Sequence, residues 1–406
     1  MISSHLNRYY VSEGKTMNSE DRFRALGVSN MSGDLTCDID FCHSDIEAQP
    51  PAPSMIAMLS NPYAVSPELT YHGFRGARYV RALLSDRLHD LFGMTGDKII
   101  DPDKEIILTP GTQGALFLAL SSVIGESDHV VCVEPDYFAY REQIMYLGAI
   151  PDPISLGEEE NLEWTGAQNK ALESFLSKGA KAVIFSNPNN PTGFVFSRQA
   201  LERIYALIKQ YHAVLIVDEL QSRMIYDQKP YSHALGITGS TSHVIAIIGP
   251  SKTEGLTGIR AGVAIGDEHI IDRMEALQGI VSLRCASTAQ AALTKWLADD
   301  ADFLSKRISD HQKMRDILHT RLTNEGFSLY RPDGGIYLFA SLPGNLDSLE
   351  FVSLLAREEG VRVTGGSVFG RNSYIRINFS QSLNNIEEGV TRIISLAKRL
   401  GGLQDV

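Results

Sequence analysis

Short apolar segments, separated by longer amphipathic ones, run through the middle of the chain. Five of the short segments are nearly uncharged and rich in β-branched residues, which is typical of strands buried on both faces of a parallel sheet. They lie at residues 105–109, 129–134, 181–186, 213–218 and 243–248. Each is predicted to be a strand of one central sheet.

The amphipathic segments between these strands are predicted to be helices. Residues 77–92 place apolar side chains at helical spacing, and Ser197 is well placed to cap a second helix. The apolar stripes are Val80, Leu83, Leu84, Leu88 and Leu91 in the first helix, and Leu201, Ile204, Tyr205 and Ile208 in the second. Strands that alternate with helices predict an α/β fold with a mainly parallel sheet covered on both faces.

The pattern changes after about residue 295. A long charged helical run at 293–326 precedes shorter strand candidates at 336–341 and 374–379. The apolar stripe of a final helix consists of Ile386, Val390, Ile393, Ile394 and Ala397. This pattern predicts a small α+β domain at 296–406, packed on a large α/β domain at 61–295. Residues 1–60 are expected to form an N-terminal arm and part of the small domain, with 38–49 as an extended segment outside the core.

The composition argues against several classes of protein. The 406 residues include 49 acidic and 37 basic ones, and the net charge of −12 argues against a nucleic-acid-binding surface. Four cysteines at irregular spacing favour a reducing compartment over a disulfide framework, and no metal site is predicted, even at Cys42-His43. The polar N-terminus does not resemble a signal peptide, and no segment reaches membrane-spanning length. A cytoplasmic protein without a membrane partner is therefore expected.

A stretch of small residues at 248–262 carries the candidate chemistry. Lys252 follows the predicted strand at 243–248, at the edge where open α/β sheets bind ligands. A lysine among small residues loses its proton more readily than a solvated one, and its neutral amine can condense with an aldehyde. Arg260 offers a fork of donors for phosphate oxygens. From this stretch alone, a surface lysine in a glycine-rich loop is an equally good interpretation.

A second group of small residues is suited to a phosphate. Gly111, Thr112 and Gln113 lie between the strand at 105–109 and the apolar helix that follows it. Free backbone N–H groups and the positive dipole end at the start of a helix favour an anion. In isolation, a plain strand-to-helix turn is the simpler interpretation.

Four motifs together resemble the class I/II aminotransferases, which are fold type I pyridoxal phosphate enzymes. The motifs are SNPNNPTG at 186–193, Asp218-Glu219, SKTEGLTGIRAG from Ser251, and YIRINFS from Tyr374. The resemblance covers roughly Asp40 to the C-terminus. It implies a mainly parallel, seven-stranded type of sheet with helices on both faces, a smaller α+β domain, pyridoxal 5′-phosphate as cofactor, and a homodimer with shared active sites.

The resemblance also implies roles around the cofactor ring. Lys252 would bind the cofactor aldehyde and then move the proton between substrate and cofactor, as the catalytic residue. Asp218 would pair with the pyridine nitrogen and keep it protonated. Asn190 would donate to the phenolic oxygen, and Tyr137 would stack on the ring.

Further roles concern the phosphate and the substrate. The resemblance implies that the phosphate is held by Gly111, Thr112, Gln113, Ser251 and Arg260. Tyr71 would reach the phosphate in the neighbouring subunit. Arg376 would bind the substrate α-carboxylate as a bidentate pair, beside Asn190. His43, Glu47 and Arg75 are candidates for contact with the substrate side chain.

One position departs from the family pattern. Gln221 stands three residues after Asp218, where the family usually has a tyrosine whose hydroxyl contacts the same phenolic oxygen. A carboxamide donates a hydrogen bond but does not ionise, so the bound cofactor should titrate at higher pH. Gly249 is a smaller departure, because many members have a phosphate-binding serine there.

Two enzymatic functions therefore follow from the sequence. The first prediction is an aminotransferase that acts on an α-amino acid and a 2-oxo acid. Gln221 keeps open an elimination, replacement or cyclisation enzyme of specialised amino-acid metabolism. A regulatory binding module is disfavoured, because the first 60 residues contain no basic helix-turn-helix.

Overall fold

The computed structural model describes residues 11–12, 15–16, 37–42, 50–61, 70–94, 100–157, 161–298 and 301–401. Strands and helices are numbered here in chain order. The strands are β1 Val11–Ser12, β2 Lys15–Thr16, β3 Ile39–Asp40, β4 Ile106–Pro110, β5 His129–Glu134, β6 Ile150–Ser155, β7 Ala182–Ser186, β8 Val214–Asp218, β9 Val244–Ile248, β10 Ala261–Gly266, β11 Ser328–Leu329, β12 Tyr337–Ser341, β13 Val361–Arg362, β14 Thr364–Gly365 and β15 Tyr374–Asn378. The helices are α1 Pro53–Ser60, α2 Arg78–Phe92, α3 Gly111–Val123, α4 Ala139–Tyr146, α5 Gly166–Ser177, α6 Arg198–Gln210, α7 Ala234–Thr238, α8 Glu268–Val281, α9 Ser287–Leu293, α10 Ala301–Asn324, α11 Ser348–Glu359 and α12 Leu383–Arg399.

The central sheet has seven strands in the order β4-β10-β9-β8-β7-β5-β6. The strands from β9 to β6 are parallel to their neighbours, whereas β10 runs antiparallel to both β4 and β9. The prediction of a mainly parallel sheet is confirmed, and all five predicted strands are present. Strands β6 and β10 were not predicted from the sequence. Two prolines disguise β6, an edge strand where proline is tolerated, and the small residues of β10 resemble a loop.

Different helices cover the two faces of this sheet. Successive strand residues point to opposite faces, so Val183 and Phe185 pack on one side while Ala182 and Ile184 pack on the other. The first side is covered by α2, α5 and α6, and the second by α3, α4 and α8. Ser197 caps α6 as predicted, because its side chain accepts a hydrogen bond from the Ala200 N–H. The layered α/β architecture follows from these two apolar faces.

A second hydrophobic core surrounds a four-stranded sheet with the order β11-β12-β15-β14. Helices α10, α11 and α12 cover it, and β3 pairs in parallel with β13 beside it. Ile39 and Phe41 are buried in this core, so the expectation that 38–49 lies outside the core is wrong at these two positions. The alternation of buried and exposed positions covers only residues 39–41 here, and such a short pattern cannot be recognised in the sequence. The proposed domain boundaries near residues 60 and 295 stay a prediction.

The long charged run does not form one helix. After α9 the chain turns through 294–298, and Leu297 has a φ of 59°, which a right-handed helix does not allow. Helix α10 begins only at Ala301. The prediction of a helix from residue 293 is therefore wrong at its start, although α10 and the final amphipathic helix α12 are present.

The sheet topology brings five chain segments to one edge. The carboxyl ends of β7, β8 and β9 lie side by side, because these strands are parallel neighbours. β4 ends at the same edge, and α3 starts directly after it at Gly111. β10 starts there, next to Pro110. This edge is where a ligand is expected in an open α/β sheet.

Within the described residues, no helix is both long enough and apolar enough to cross a membrane. The predicted N-terminal arm lies mostly outside them, apart from the short hairpin strands β1 and β2.

Candidate active site

A cavity of about 180 Å³ opens at the carboxyl edge of the central sheet. It brings together nine of the predicted site residues: Thr112, Gln113, Tyr137, Asn190, Asp218, Gln221, Ser251, Lys252 and Arg260. These residues come from the segments after β4, β5, β7, β8 and β9, and from the start of β10. The convergence of distant segments explains why the sequence motifs are far apart along the chain.

The carboxylate of Asp218 ends β8 at the floor of this cavity. Its Oδ2 accepts a hydrogen bond from the Tyr140 hydroxyl at 2.9 Å, and its Oδ1 accepts one from the Leu220 N–H at 3.0 Å. Burial raises the pKa of Asp218 to about 6, while these two donors and the nearby Lys252 act in the opposite direction. The group is therefore an anion at neutral pH and is suited to a protonated ring nitrogen.

Lys252 lies on the loop that follows β9, beside Ser251. Both side chains are buried and line the cavity. The loop is held from outside the cavity, since Nη1 of Arg307 on α10 donates to the Thr253 carbonyl at 2.6 Å. The lysine amine is thus presented on a fixed loop at the same edge as Asp218.

The start of α3 and the start of β10 approach each other closely. Gly111 has a φ of 76°, and a Cβ there would overlap the guanidinium of Arg260. A Cβ on Gly262 would lie 2.6 Å from the Thr112 nitrogen. The two glycines therefore let Arg260 lie against the first N–H groups of α3, an arrangement suited to a phosphate.

The structure accounts for the small residue at position 249. A Cβ on Gly249 would lie 3.0 Å from the Ala261 carbonyl oxygen and 3.1 Å from Cγ2 of Thr112. Both contacts are closer than ordinary van der Waals distances. Thr112 therefore fills the space that a serine side chain would need.

Arg376 lies behind the cavity wall on β15. Its Nη1 donates to Oδ1 of Asn190 at 3.0 Å, and its guanidinium carbon lies 4.2 Å from the centre of the Tyr337 ring. The residue is only 4% exposed, and within the described chain its Nε has no hydrogen-bond partner. A buried donor without an acceptor is costly, which fits a ligand that brings a carboxylate.

Tyr137 and Gln113 form another part of the wall. The Tyr137 hydroxyl donates to Oε1 of Gln113 at 3.1 Å. Burial raises the pKa of Tyr137 to about 12, so its hydroxyl stays protonated. The Tyr137 ring meets the Tyr140 ring edge to face, with 5.5 Å between centroids.

Several wall residues were not predicted from the sequence: Leu116, Tyr140, Ser186, Pro188, Leu220, Thr257 and Tyr337. Two of them had a usable signal. Tyr140 follows Tyr137 by three residues, which places both on one side of a helical turn. Ser186 opens the SNPNNPTG motif, and its hydroxyl accepts a hydrogen bond from the Asn190 N–H at 2.9 Å. The others depend on tertiary packing.

Some predicted residues lie outside the cavity. Tyr71 is 78% exposed, with the guanidinium carbon of Arg284 4.5 Å from its ring centre. Arg75 pairs with Glu275 at 2.5 Å and with Asp272, and its Nη1 donates to the Asp103 carbonyl, so it does not face the cavity.

Two further substrate candidates, His43 and Glu47, lie outside the described residues. The described residues contain no group of three or more His, Cys, Asp or Glu side chains arranged to hold a metal ion.

A larger cavity, of about 330 Å³, lies between α10 and the start of α12. Its buried polar groups are already paired: His311 contacts Ser380 Oγ and the Arg307 carbonyl, both at 2.8 Å. Burial lowers the pKa of His311 to about 4. This cavity contains none of the motif residues, so the smaller one is the candidate active site.

Comparison with known proteins agrees with the family that the sequence motifs resemble. The family model described as aminotransferase class I and II matches residues 68–393. A transaminase of Methanocaldococcus jannaschii, named for (5-formylfuran-3-yl)methyl phosphate, is 31% identical over 326 residues, which is 80% of this chain and 82% of the relative. The aspartate aminotransferase of Sulfurisphaera tokodaii is 30% identical over 301 residues, covering 71% of this chain and 74% of the relative.

Solved structures agree in fold. The crystal structure of an aspartate aminotransferase from Rhodobacter sphaeroides is 36% identical, with a TM-score of 0.83, and covers 94% of this chain and 99% of that one. The aspartate aminotransferase of Thermotoga maritima also gives a TM-score of 0.83, at 25% identity, over 97% of this chain and 99% of that one.

Proposed function

The chain belongs to the class I and II aminotransferase family, and we propose that the cavity beside Asp218 and Lys252 is its active site. Members of this family depend on pyridoxal 5′-phosphate, so the protein is a pyridoxal phosphate-dependent aminotransferase. It transfers an amino group between an amino acid and a 2-oxo acid.

The residues around the cavity suit this cofactor. Pyridoxal 5′-phosphate supplies an aldehyde carbon and a pyridine ring that accepts electrons. Lys252 would hold the cofactor by condensing with its aldehyde with loss of water, and its amine, released when the substrate amino group takes its place, would take the proton from the substrate α-carbon. Asp218 is ionised at neutral pH and holds a proton on the ring nitrogen. Tyr140 keeps the Asp218 carboxylate oriented.

The two ends of the cavity suit the two anions of the reaction. Arg260 and the N–H groups that begin α3 hold the phosphate, and Gly111 and Gly262 allow these two parts of the chain to lie against each other. Ser251, Thr112 and Gln113 line this part of the wall.

Arg376 is suited to bind the second anion, the α-carboxylate of the substrate. Its guanidinium, whose Nε has no hydrogen-bond partner among the described residues, binds the α-carboxylate of the amino acid as a bidentate pair. The substrate is therefore an α-amino acid whose carboxylate enters the wall next to Tyr337 and Asn190.

A homodimer with shared sites completes the proposal. Apolar side chains are exposed on one patch, formed by Tyr71, Phe74, Ile280, Val281 and Leu283. Arg284, which follows Leu283 in the chain, brings the two parts of the patch together, since its guanidinium carbon lies 4.5 Å from the centres of both the Tyr71 and the Phe74 rings. Exposed apolar patches of this kind mark interaction surfaces. A second copy on this patch would bring Tyr71 towards its neighbour's phosphate.

We further propose a cytoplasmic location. Cys37, Cys42, Cys132 and Cys285, which are the four cysteines of the chain, are all free thiols. Free thiols favour a reducing compartment.

The observation that most supports the proposal is that Lys252 and Asp218 line the same cavity. To test it, the protein is incubated with pyridoxal 5′-phosphate and reduced with borohydride, and its peptides are analysed by mass spectrometry. We expect one label per chain, on Lys252, and none in Lys252→Ala. Lys306→Ala is the matched control, because Lys306 is exposed at the larger cavity, and it should keep the label. Full labelling of another lysine in Lys252→Ala would contradict the proposal.

A further inference from the structure

A buried ion pair joins the segments that follow β8 and β9. The Lys252 turn, at residues 250–255, follows β9, whereas Arg223 lies in the segment that follows β8 and Asp218. Nη1 of Arg223 donates to Oε1 of Glu254 in this turn, and the two side chains are only 12% and 5% exposed. Neither side chain lines the cavity. The pair therefore connects the Lys252 turn with the Asp218 segment from outside the cavity.

The strand ladder does not reach the Lys252 turn. The ladder between β8 and β9 ends at the pair of Asp218 with Ile247, five residues before Lys252. At the turn itself, hydrogen bonds such as that from the Leu256 N–H to the Ser251 carbonyl, at 3.2 Å, are local. Local bonds fix the shape of the turn, but its place beside Asp218 depends on contacts with other segments. The ion pair is such a contact.

Arg307 on α10 reaches the same turn. Its Nη1 donates to the Thr253 carbonyl at 2.6 Å, and a Cβ on Gly255 would lie 3.2 Å from the same nitrogen. Burial raises the pKa of Glu254 to about 7, while the nearby Arg223 and Arg307 act in the opposite direction. The two arginines therefore favour the charged form of Glu254, which the ion pair requires.

We propose that Arg223 and Glu254 are positioning residues, which hold the amine of Lys252 at a fixed place relative to the Asp218 carboxylate. This inference rests on the proposed function. The ring nitrogen and the aldehyde carbon of the cofactor lie at opposite ends of one rigid ring, so Asp218 and Lys252 reach both only within a narrow range of separations. A displacement of about 1 Å at a reacting group costs about a hundredfold in rate. The ion pair sets this separation from outside the cavity.

The test compares two ligands on the apoprotein. Pyridoxal 5′-phosphate bonds to Lys252, whereas pyridoxamine 5′-phosphate has an amine in place of the aldehyde and binds without that bond. In Glu254→Gln, a group of nearly the same size loses its charge and releases the turn. We expect the rate constant of bond formation at saturating pyridoxal 5′-phosphate, followed by stopped-flow absorbance, to fall about tenfold or more. The dissociation constant of pyridoxamine 5′-phosphate should change much less.

Asp227→Asn is the matched control. Asp227 also pairs with a buried arginine, Arg315, at 2.9 Å, but this pair does not include the Lys252 turn. Asparagine tolerates the φ of 55° at this position. The control variant should keep the wild-type values for both ligands. A wild-type rate constant in Glu254→Gln, or an equal loss for both ligands, would overturn the inference.

A double variant covers the case in which Glu254→Gln does not fold. Removing one partner of a buried ion pair leaves the other charge uncompensated, whereas replacing both by apolar residues of similar size often keeps or raises stability. Arg223→Met/Glu254→Met should therefore fold and still bond slowly to pyridoxal 5′-phosphate. A wild-type rate constant in this variant would contradict the inference, because it would show a purely structural role. Failure of the wild-type protein to bond to the cofactor through Lys252 would instead overturn the proposed function itself.

Discussion

At the scale of single residues, the protonation of Asp218 sets the conditions under which the site works. Its carboxylate is buried, which raises its pKa to about 6, and it is held by the Tyr140 hydroxyl and the Leu220 N–H. The cofactor ring nitrogen needs the charged form of this carboxylate. Affinity of the apoprotein for the cofactor is therefore fully present above the pKa and is lost as the pH falls through about 6.

Tyr140→Phe should move this loss of affinity to higher pH. The Tyr140 hydroxyl stabilises the carboxylate of Asp218, so removing the hydroxyl raises the Asp218 pKa. A hydrogen bond to a charged group contributes about 1.5–3 kcal/mol, so we expect a shift of about one pKa unit or more. The measurement is the dissociation constant of pyridoxal 5′-phosphate from the apoprotein between pH 5 and 8.

The control for this prediction is Tyr146→Phe. Tyr146 ends the same helix, α4, but is 43% exposed and does not line the cavity. The midpoint of its binding curve should match the wild type. Coincident curves for Tyr140→Phe and the wild type would show that Tyr140 does not govern the charge of Asp218.

The sequence identified most cavity residues because short motifs mark them. Lys252, Asp218 and Asn190 stand in motifs whose spacing could be recognised, and all three line the cavity. Tyr337 has no such motif, since its place depends on how β12 packs across the cavity. Gln221 could be identified as unusual, but the hydrogen bond from the Ile336 N–H to its Oε1 could not, because 115 residues separate the two.

At the scale of elements, the close approach of α3 and β10 forms the phosphate end of the site. Gly111 begins α3 with a φ of 76°, and its missing side chain leaves room for Arg260. The sequence indicated both groups separately. The resemblance implied that both groups hold the phosphate, but the direct contact of the Arg260 guanidinium with the start of α3 was not predicted, because β10 was not recognised as a strand that pairs with β4.

Gly111→Ala should weaken cofactor binding about tenfold or more. The added Cβ would overlap the Arg260 guanidinium, and a positive φ costs an alanine about 1–2 kcal/mol. Gly114→Ala is the control on the same helix, because its Cβ would lie 3.7 Å from the nearest side-chain atom, Cδ of Pro110. Cofactor titration of the two apoproteins measures the difference. Similar dissociation constants for both variants would exclude the proposed phosphate end.

At the scale of the whole molecule, the chain has one core on each face of the central sheet and another around the smaller sheet. The strand pattern predicted the first sheet well, because buried parallel strands are continuously apolar. It placed Ile39 and Phe41 outside the core, because a short strand paired with β13 depends on a partner more than 300 residues away. The proposed dimer is also a property of the whole molecule.

Ile280→Asp should weaken the proposed dimer strongly. Ile280 is 82% exposed in the isolated chain, and a carboxylate placed in an apolar interface loses its hydration without gaining a partner. We expect the dimer dissociation constant to rise at least about tenfold, as measured by analytical ultracentrifugation. Leu349→Asp, at an exposed leucine on α11, should leave it unchanged. A wild-type protein that is monomeric at micromolar concentration would contradict the proposed dimer.

The most direct test of the function is a single turnover of the cofactor-loaded protein. It is mixed with a panel of α-amino acids in the absence of any 2-oxo acid, and the cofactor spectrum and the released products are followed together. We predict conversion to pyridoxamine phosphate with one equivalent of 2-oxo acid per site. Retention of the starting spectrum, with release of many equivalents of ammonia, a leaving group or a cyclised product, would contradict this account. The protein would then catalyse one of the elimination, replacement or cyclisation reactions that Gln221 leaves open in the sequence.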